Sequence, residues 1–400
     1  MSIFNKADIL LPECIDMEKW SVVACDQYTA QPEYWERVAE FVGDAPSTLN
    51  IVYPEAFLSE GDARIDAINN SMKSYLSKNI FAALKDSLIY IERTVNSGKI
   101  RHGIIGAIDL EEYDFSKGSK SAIRATEGTI LERIPPRVKI RENAPLELPH
   151  AILLLDDEKN YVIGGAEKGK PLYDFDLMEN GGHIAGWCIS GDEADAVIGR
   201  INKLAEKAPD NLVFAVGDGN HSLATAKTCW ENLKPTLSAE EQKTHPARFC
   251  LVEIENIHDD SLEFEPIHRV VFGKGIDEMV SDISEYYDIC DTPCENSQEI
   301  VLVSGEKTVS INVSNPSSNL TVGTLQNFLD SGKYELDYIH GEDVTRNLSD
   351  RADAVGFVLP CPKKSELFET VILDGALPRK TFSMGEANEK RFYLEAKKII

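Results

Sequence analysis

Four consecutive residues, Asp218, Gly219, Asn220 and His221, bring together an acid, a flexible backbone position, an amide and an imidazole, and Ser222 adds a hydroxyl. They follow a short apolar run (212–216) and precede a stretch of helical character, SLATAKTCWENL. An acid at the end of a buried strand lies at a sheet edge, where α/β proteins place ligands. Gly219 lets the backbone turn with positive φ. Asn220 or Ser222 is suited to cap the helix. The open N–H groups of a first helical turn attract anions, phosphate above all. In that setting Asp218 would accept a proton or hold Mg²⁺, and His221 would donate to a phosphate oxygen or act as general acid or base. The plain alternative is an Asp-Gly turn before a capped helix.

Other residues could serve the same chemistry. Arg124, Arg133, Arg137 and Arg141 cluster in an acidic chain, with Glu127 and Thr129 among them. Guanidinium groups grip phosphate and carboxylate with two N–H donors, although surplus surface acids are competing partners. His268 and Arg269 follow Pro266 at the start of an apolar run. Adjacent strand residues face opposite ways, so one of the two is expected at a ligand and the other in the structure. Lys380 and Thr381 offer an ammonium and a hydroxyl; the alternative is a solvated tail, since Lys390, Arg391, Lys397 and Lys398 are close in sequence. His183 opens a strand after two glycines, and Asp26 ends an apolar stretch, where it caps a helix or faces the same pocket. The phosphate-loop, dinucleotide and nucleophile-elbow motifs are all missing. Cys290 and Cys294 lack a second Cys or His pair nearby, so they read as ordinary loop thiols rather than half a zinc site.

Several segments resemble, in order, those of an uncharacterised family, number ten-fifteen in the domain-of-unknown-function series. "FAVGDGNHSLATAK" resembles its Asp-Gly-His-His-Arg segment, "GGHIAGWCI" its Gly-x-x-His strand and "RATEGT" its His-Glu-x-Thr element. "FEPIHRVV" resembles its Pro-x-His-Arg motif, and "GALPRKTFSMGE" its Pro-x-Lys-Ser/Thr segment. The likeness runs from about Asp26 to the C-terminus. Asn220 stands where the family has its first His, Ser222 where it has Arg, and no His precedes Glu127. Residues 180–230 also resemble ParB-like nucleotide-binding domains and free serine kinases. That resemblance implies a nucleotide or phosphorylated ligand at Asp218, Gly219, His221 and Ser222. It implies a phosphotransferase acting on a small metabolite, free serine being the suggested acceptor, with a nucleotide or pyrophosphate and Mg²⁺. Arg124, Arg269 and Lys380 would neutralise charge, and Thr129, His183, His268 and Thr381 would line the ligand. A non-catalytic nucleotide or metabolite sensor is the alternative reading, and a small-molecule phosphatase a third.

These residues need a scaffold. QPEYWERVAEF (31–41) and residues 61–96 read as helices from their apolar spacing. KIRHGIIGAIDL (99–110) and HAILLLD (150–156) read as strands, and 114–149 as a long functional loop. From 183 onwards strand, helix, strand, helix and strand alternate, which predicts a layered α/β fold with mixed α+β character and a strand-turn-helix over 212–233. EIVLVSG and KTVSINV flank a Gly-Glu-Lys turn as a hairpin. The change of character places a main domain at 1–295 and a C-terminal α/β subdomain at 296–400.

The chain has 400 residues, 42% hydrophobic, with a formal net charge of −26. That suffices for a buried core. Such acidity disfavours nucleic acid and anionic membrane as partners. Neither a signal peptide nor an apolar run of membrane-spanning length is read, so the expected compartment is the cytoplasm, with Cys188, Cys229 and Cys250 as reduced thiols.

Overall fold

Strands in which successive side chains feed two different cores need both faces of their sheet covered, and the central strands of this protein have that pattern. The computed structural model describes residues 2–128, 134–290 and 292–400. Two units divide them: Met1–Leu262 with Glu386–Ile400, and Glu263–Gly385.

The first unit runs β1 (Ala7–Pro12), α1 (Pro32–Val42), α2 (Asp62–Ser77), β2 (Phe81–Thr94), β3 (Ile100–Asp109), β4 (Ile123–Ala125), α3 (Ile134–Arg141) and β5 (Ile152–Leu155). It continues with β6 (Pro171–Asp176), β7 (His183–Ser190), α4 (Gly191–Ala205), β8 (Phe214–Asp218), α5 (Asn220–Leu233) and β9 (Phe249–Asn256). In space the sheet is ordered β6-β7-β2-β3-β9-β5-β8-β4, with β1 beside the start of β2. Most neighbours are antiparallel, while β9 with β5 and β8 with β4 are parallel. Ile89, Ile91 and Ile105 point into one core with Trp35, Ile68 and Met72 of α1 and α2. Leu88, Tyr90 and Ile104 point into the other with Val197, Ile201 and Trp230 of α4 and α5. This is the period of two expected of strands, and it gives the layered α/β fold that the alternation predicted.

Two expectations change. The helix read over 61–96 stops at Ser77; Asn79 takes φ +53° and the chain becomes β2. Beyond it SLIYIE carries β-branched and aromatic residues on alternating faces, which suits a strand. The 114–149 stretch carries β4, α3 and a short strand at Leu146–Glu147, with loop between them among the described residues. The charged tail is not solvated: Phe392–Tyr393 pairs with Val22–Val23, and Lys397–Lys398 with Leu146–Glu147. Arg391 is buried against Glu253 (2.9 Å) and Glu395.

The second unit holds β10 (Phe264–Phe272), α6 (Ile276–Tyr286), β11 (Gln298–Ser304), β12 (Lys307–Val313) and α7 (Thr321–Ser331). It closes with β13 (Glu335–His340), α8 (Glu342–Leu348), β14 (Ala354–Val358) and α9 (Lys364–Asp374). Its sheet order is β12-β11-β14-β10-β13. The unit therefore starts at 263 rather than 296, because β10 hydrogen-bonds to β13 and β14 and belongs to their sheet. The β11–β12 hairpin turns at Gly305 as expected, with φ +59°. Cys290 and Cys294 are joined as a disulfide, while Cys188, Cys229 and Cys250 are free. Among the described residues no helix is long and apolar enough to cross a membrane.

Candidate functional site

At the end of β8 the chain reverses through Gly219, at φ +78° and ψ 26°, and α5 begins at once. A Cβ here would lie 2.8 Å from the Ala151 Cα, so a side chain is excluded by space as well as by φ. Gly219 has no side chain with which to cap the first turn of α5. Its N–H donates to Asp218 Oδ1 at 2.9 Å, and Asp218 Oδ2 lies 3.5 Å from Lys390 Nζ. Asn220 does not cap the helix. Its side chain turns to Thr126, accepting from the backbone N–H (3.2 Å) and donating to Oγ1 (3.3 Å), which ties the end of β4 to the turn.

Ser222 faces the other way. Its Oγ lies 3.2 Å from Nε2 and 3.3 Å from Nδ1 of His150, a buried imidazole just ahead of β5. His150 Nδ1 is 2.9 Å from Tyr393 Oη. Tyr393 donates its one proton to Cys25 Sγ at 3.1 Å. Nδ1–H must then donate to Tyr393, which leaves Nε2 to accept from Ser222; this tautomer follows from the network of partners. Burial pushes the Cys25 thiol up to about 12, so the sulfur stays protonated. Burial alone would raise the neighbouring Asp26 carboxyl. A hydrogen bond from Gln27, the Lys390 ammonium and, whenever it is protonated, His150 act the other way and place it below the usual carboxylate range. Lys390 thus serves two carboxylates, Asp218 and Asp26.

A cavity of about 470 Å³ opens beside this chain of groups. Ser222, Leu223 and Thr225 of α5, His150, Tyr393 and Cys25 form part of its wall, and α3 supplies Arg137, Ile140 and Arg141. Arg137 pairs with Glu55 and Arg141 with Glu147.

The remaining expected residues are placed as follows. Arg124 is buried and directed to the start of β8, where it binds the Ser121 carbonyl (2.9 Å) and the Asp210 carboxylate (2.9 Å), away from Asp218. Glu127 is half-buried beside Thr126. Thr129 and Arg133 lie outside the described residues. His221 stands on the first turn of α5, its carbonyl accepting from Thr225 Oγ1 at 2.7 Å. His183 sits between Asp174 (2.8 Å) and Asp176 (2.7 Å), whose hydrogen bonds raise its pKa. It is not at the turn: β7 is five strands from β8, roughly 24 Å at the usual strand spacing. In the second unit, His268 Nδ1 accepts from Leu359 N–H (3.1 Å). Arg269 is fully buried and donates to the carbonyls of Ile267, Arg379 and Lys380. Thr381 Oγ1 donates to the Pro378 carbonyl at 2.6 Å. There Arg269 and Thr381 fasten the 378–381 loop, and Lys380 bends it with φ +56°.

The donors present do not fit Mg²⁺. Among the described residues no three His, Cys, Asp or Glu side chains converge as ligands, and Asp218 already faces an ammonium; a hard dication wants several oxygens.

His150, Lys390 and Tyr393 carry the site, yet none stands out in the sequence. Ser222 and His150 are 72 residues apart, and His150 and Tyr393 are 243. The one available signal was a polar residue, His150, at the mouth of the apolar run AILLL.

Residues 12–332 match the family described as Protein of unknown function (DUF1015). No curated protein matches the chain. Among solved structures, a variant of a free serine kinase in complex with ADP is similar at 13% identity and a TM-score of 0.41, covering 77% of this chain and 95% of its own. SbnI from Staphylococcus aureus, truncated at its C-terminus, aligns at 10% identity and a TM-score of 0.36, covering 72% and 82%. A conserved hypothetical protein from Pyrococcus furiosus aligns at 12% and 0.36, covering 73% and 94%. By its match over most of its length, the chain belongs to the DUF1015 family of proteins of unknown function.

Proposed function

We propose that the protein is a phosphotransferase acting on a small hydroxyl compound, with a nucleotide or pyrophosphate as donor. One observation carries this reading: a single uncapped helical turn offers N–H groups to an anion while its Ser222 hydroxyl, held by His150, opens on a cavity. The donor phosphate would rest on the first turn of α5 beside Lys390, where helix dipole and ammonium both favour negative charge. The acceptor hydroxyl oxygen attacks phosphorus, the donor P–O bond breaks, and the hydroxyl proton passes to His150 Nε2. The Asp26 carboxylate steadies the imidazolium so formed. Lys390 offsets charge on the transferring group, which is where this reaction needs help. Asp218 acts by holding Lys390, and no step runs through a metal.

The test is thermal stabilisation by ATP, ADP, CTP and pyrophosphate, with and without Mg²⁺, followed by transfer of labelled phosphate. A bound donor at 100 times its Kd stabilises by about 2.7 kcal/mol. His150→Gln should keep donor binding and lose transfer, and Lys390→Met should weaken donor binding. If none of these donors stabilises the protein, the reading fails. Donor binding that never leads to transfer would make the protein a sensor.

A further inference from the structure

We infer that the cavity against α5 takes an acceptor with one hydroxyl and a neutral, mainly apolar body, larger than a free amino acid such as serine. That the molecule is an acceptor rests on the phosphotransfer reading; that the cavity binds it does not.

Three features of the wall point to this class. Its body is apolar: Ile51, Val52, Leu58, Met72, Ile140 and Leu146 all contribute, the usual lining of a small-molecule pocket. Its charges are already matched. Arg137 is paired with Glu55, and Arg141 with Glu147. Glu147 is further held by Lys397 at 3.2 Å and by the Leu251 N–H at 2.9 Å. The ammonium and carboxylate of a zwitterion would have to break these pairs to find partners, whereas a neutral body leaves them intact. Finally, the volume of about 470 Å³ equals roughly sixteen waters at about 30 Å³ each, and serine would leave much of it unfilled.

The polar end is narrow by contrast. Ser222, His150 and Tyr393 are already hydrogen-bonded to one another, and Cys25 beside them is a protonated, weakly polar thiol. A hydroxyl can enter this chain by replacing the direct Ser222–His150 bond: it donates to His150 Nε2 and accepts the hydrogen bond that Ser222 then no longer gives to that nitrogen. One such group is all the chain can satisfy, so a polyol or sugar would be left with unpaired hydroxyls against the apolar wall.

The experiment measures binding to the full-length protein by calorimetry, with octan-1-ol, 2-phenylethanol, octane and L-serine as probes and ATP titrated separately. Octan-1-ol should bind at least tenfold more tightly than L-serine and more tightly than octane. Ile140→Trp and Leu58→Trp place an indole in the cavity and should each weaken octan-1-ol at least fivefold while ATP affinity stays unchanged. Leu58 is 45% exposed, so that variant tests the idea even if Ile140→Trp fails to fold. L-Serine binding as tightly as octan-1-ol, or alcohol binding indifferent to Leu58→Trp, overturns the inference. Failure of ATP to bind while the alcohols bind would count against the phosphotransfer reading alone.

Discussion

Replacing Gly219 with alanine should cost the first unit about 2–5 kcal/mol, from two sources that can be separated. At φ +78° an L-residue with a Cβ pays about 1–2 kcal/mol for the left-handed conformation. The new methyl would also lie 2.8 Å from Ala151 Cα and 3.2 Å from its Cβ and N. Backbone, not a flexible side-chain end, must yield there, and such overpacking costs about 1–3 kcal/mol. Asparagine tolerates the left-handed region, so Gly219→Asn should escape most of the first cost and fall about 1 kcal/mol short of the alanine penalty. Trp20, Trp35, Trp187 and Trp230 all belong to the first unit, so tryptophan fluorescence during urea unfolding reports that unit alone. With a slope of about 2–3 kcal/mol/M the alanine variant should lose roughly 1–2 M in midpoint. Two results would refute the reasoning: an alanine midpoint indistinguishable from the parent, or an asparagine variant less stable than the alanine one.

Arg391→Met should destabilise the same unit by about 3–5 kcal/mol, because it strands buried Glu253 and Glu395 without their partner; urea unfolding reads it. The Asp259 carboxyl, which burial would raise, is brought down from 3.8 to about 2 by hydrogen bonds from His102 and Ser261. A depressed carboxyl adds stability above its unfolded pKa and loses it as pH falls through the folded one. Asp259 should therefore supply about 2 kcal/mol above pH ~4 that disappears towards pH ~2, and Asp259→Asn should flatten that part of the stability curve. Iodoacetamide at pH 8 should label exposed Cys14 and Cys361 in the native protein and spare Cys25, whose thiol is held near 12 by burial; peptide mapping of the alkylated protein gives the answer.

The strand-turn-helix over 212–233 was legible because it is local: an apolar run, a glycine that alone fits the turn, and a helix. The layered fold was legible for the same reason, through repeated periodicities. What failed did so where distant chain decides. Residues 81–94 kept an apolar beat that helix and strand share, and only pairing with β1, β3 and β7 resolves it. Arg124 looked like a phosphate clamp, but a buried guanidinium takes the nearest carboxylate, here Asp210. Arg269 spends its donors on loop carbonyls. His150 and Tyr393 gain meaning only when strands far apart in sequence bring them to Ser222.

The closing segment Glu386–Ile400 rejoins the first unit after the whole of Glu263–Gly385 has intervened. A ribosome making this chain therefore releases the sheet, both helical layers and an entire second unit before Lys390 and Tyr393 leave the exit tunnel. Until then the Asp218 carboxylate lacks its ammonium and the His150 imidazole lacks its phenol. A nascent chain that has not yet presented residues 386–400 would hold the sheet and both helical layers while this cluster of polar groups still lacks two of its members.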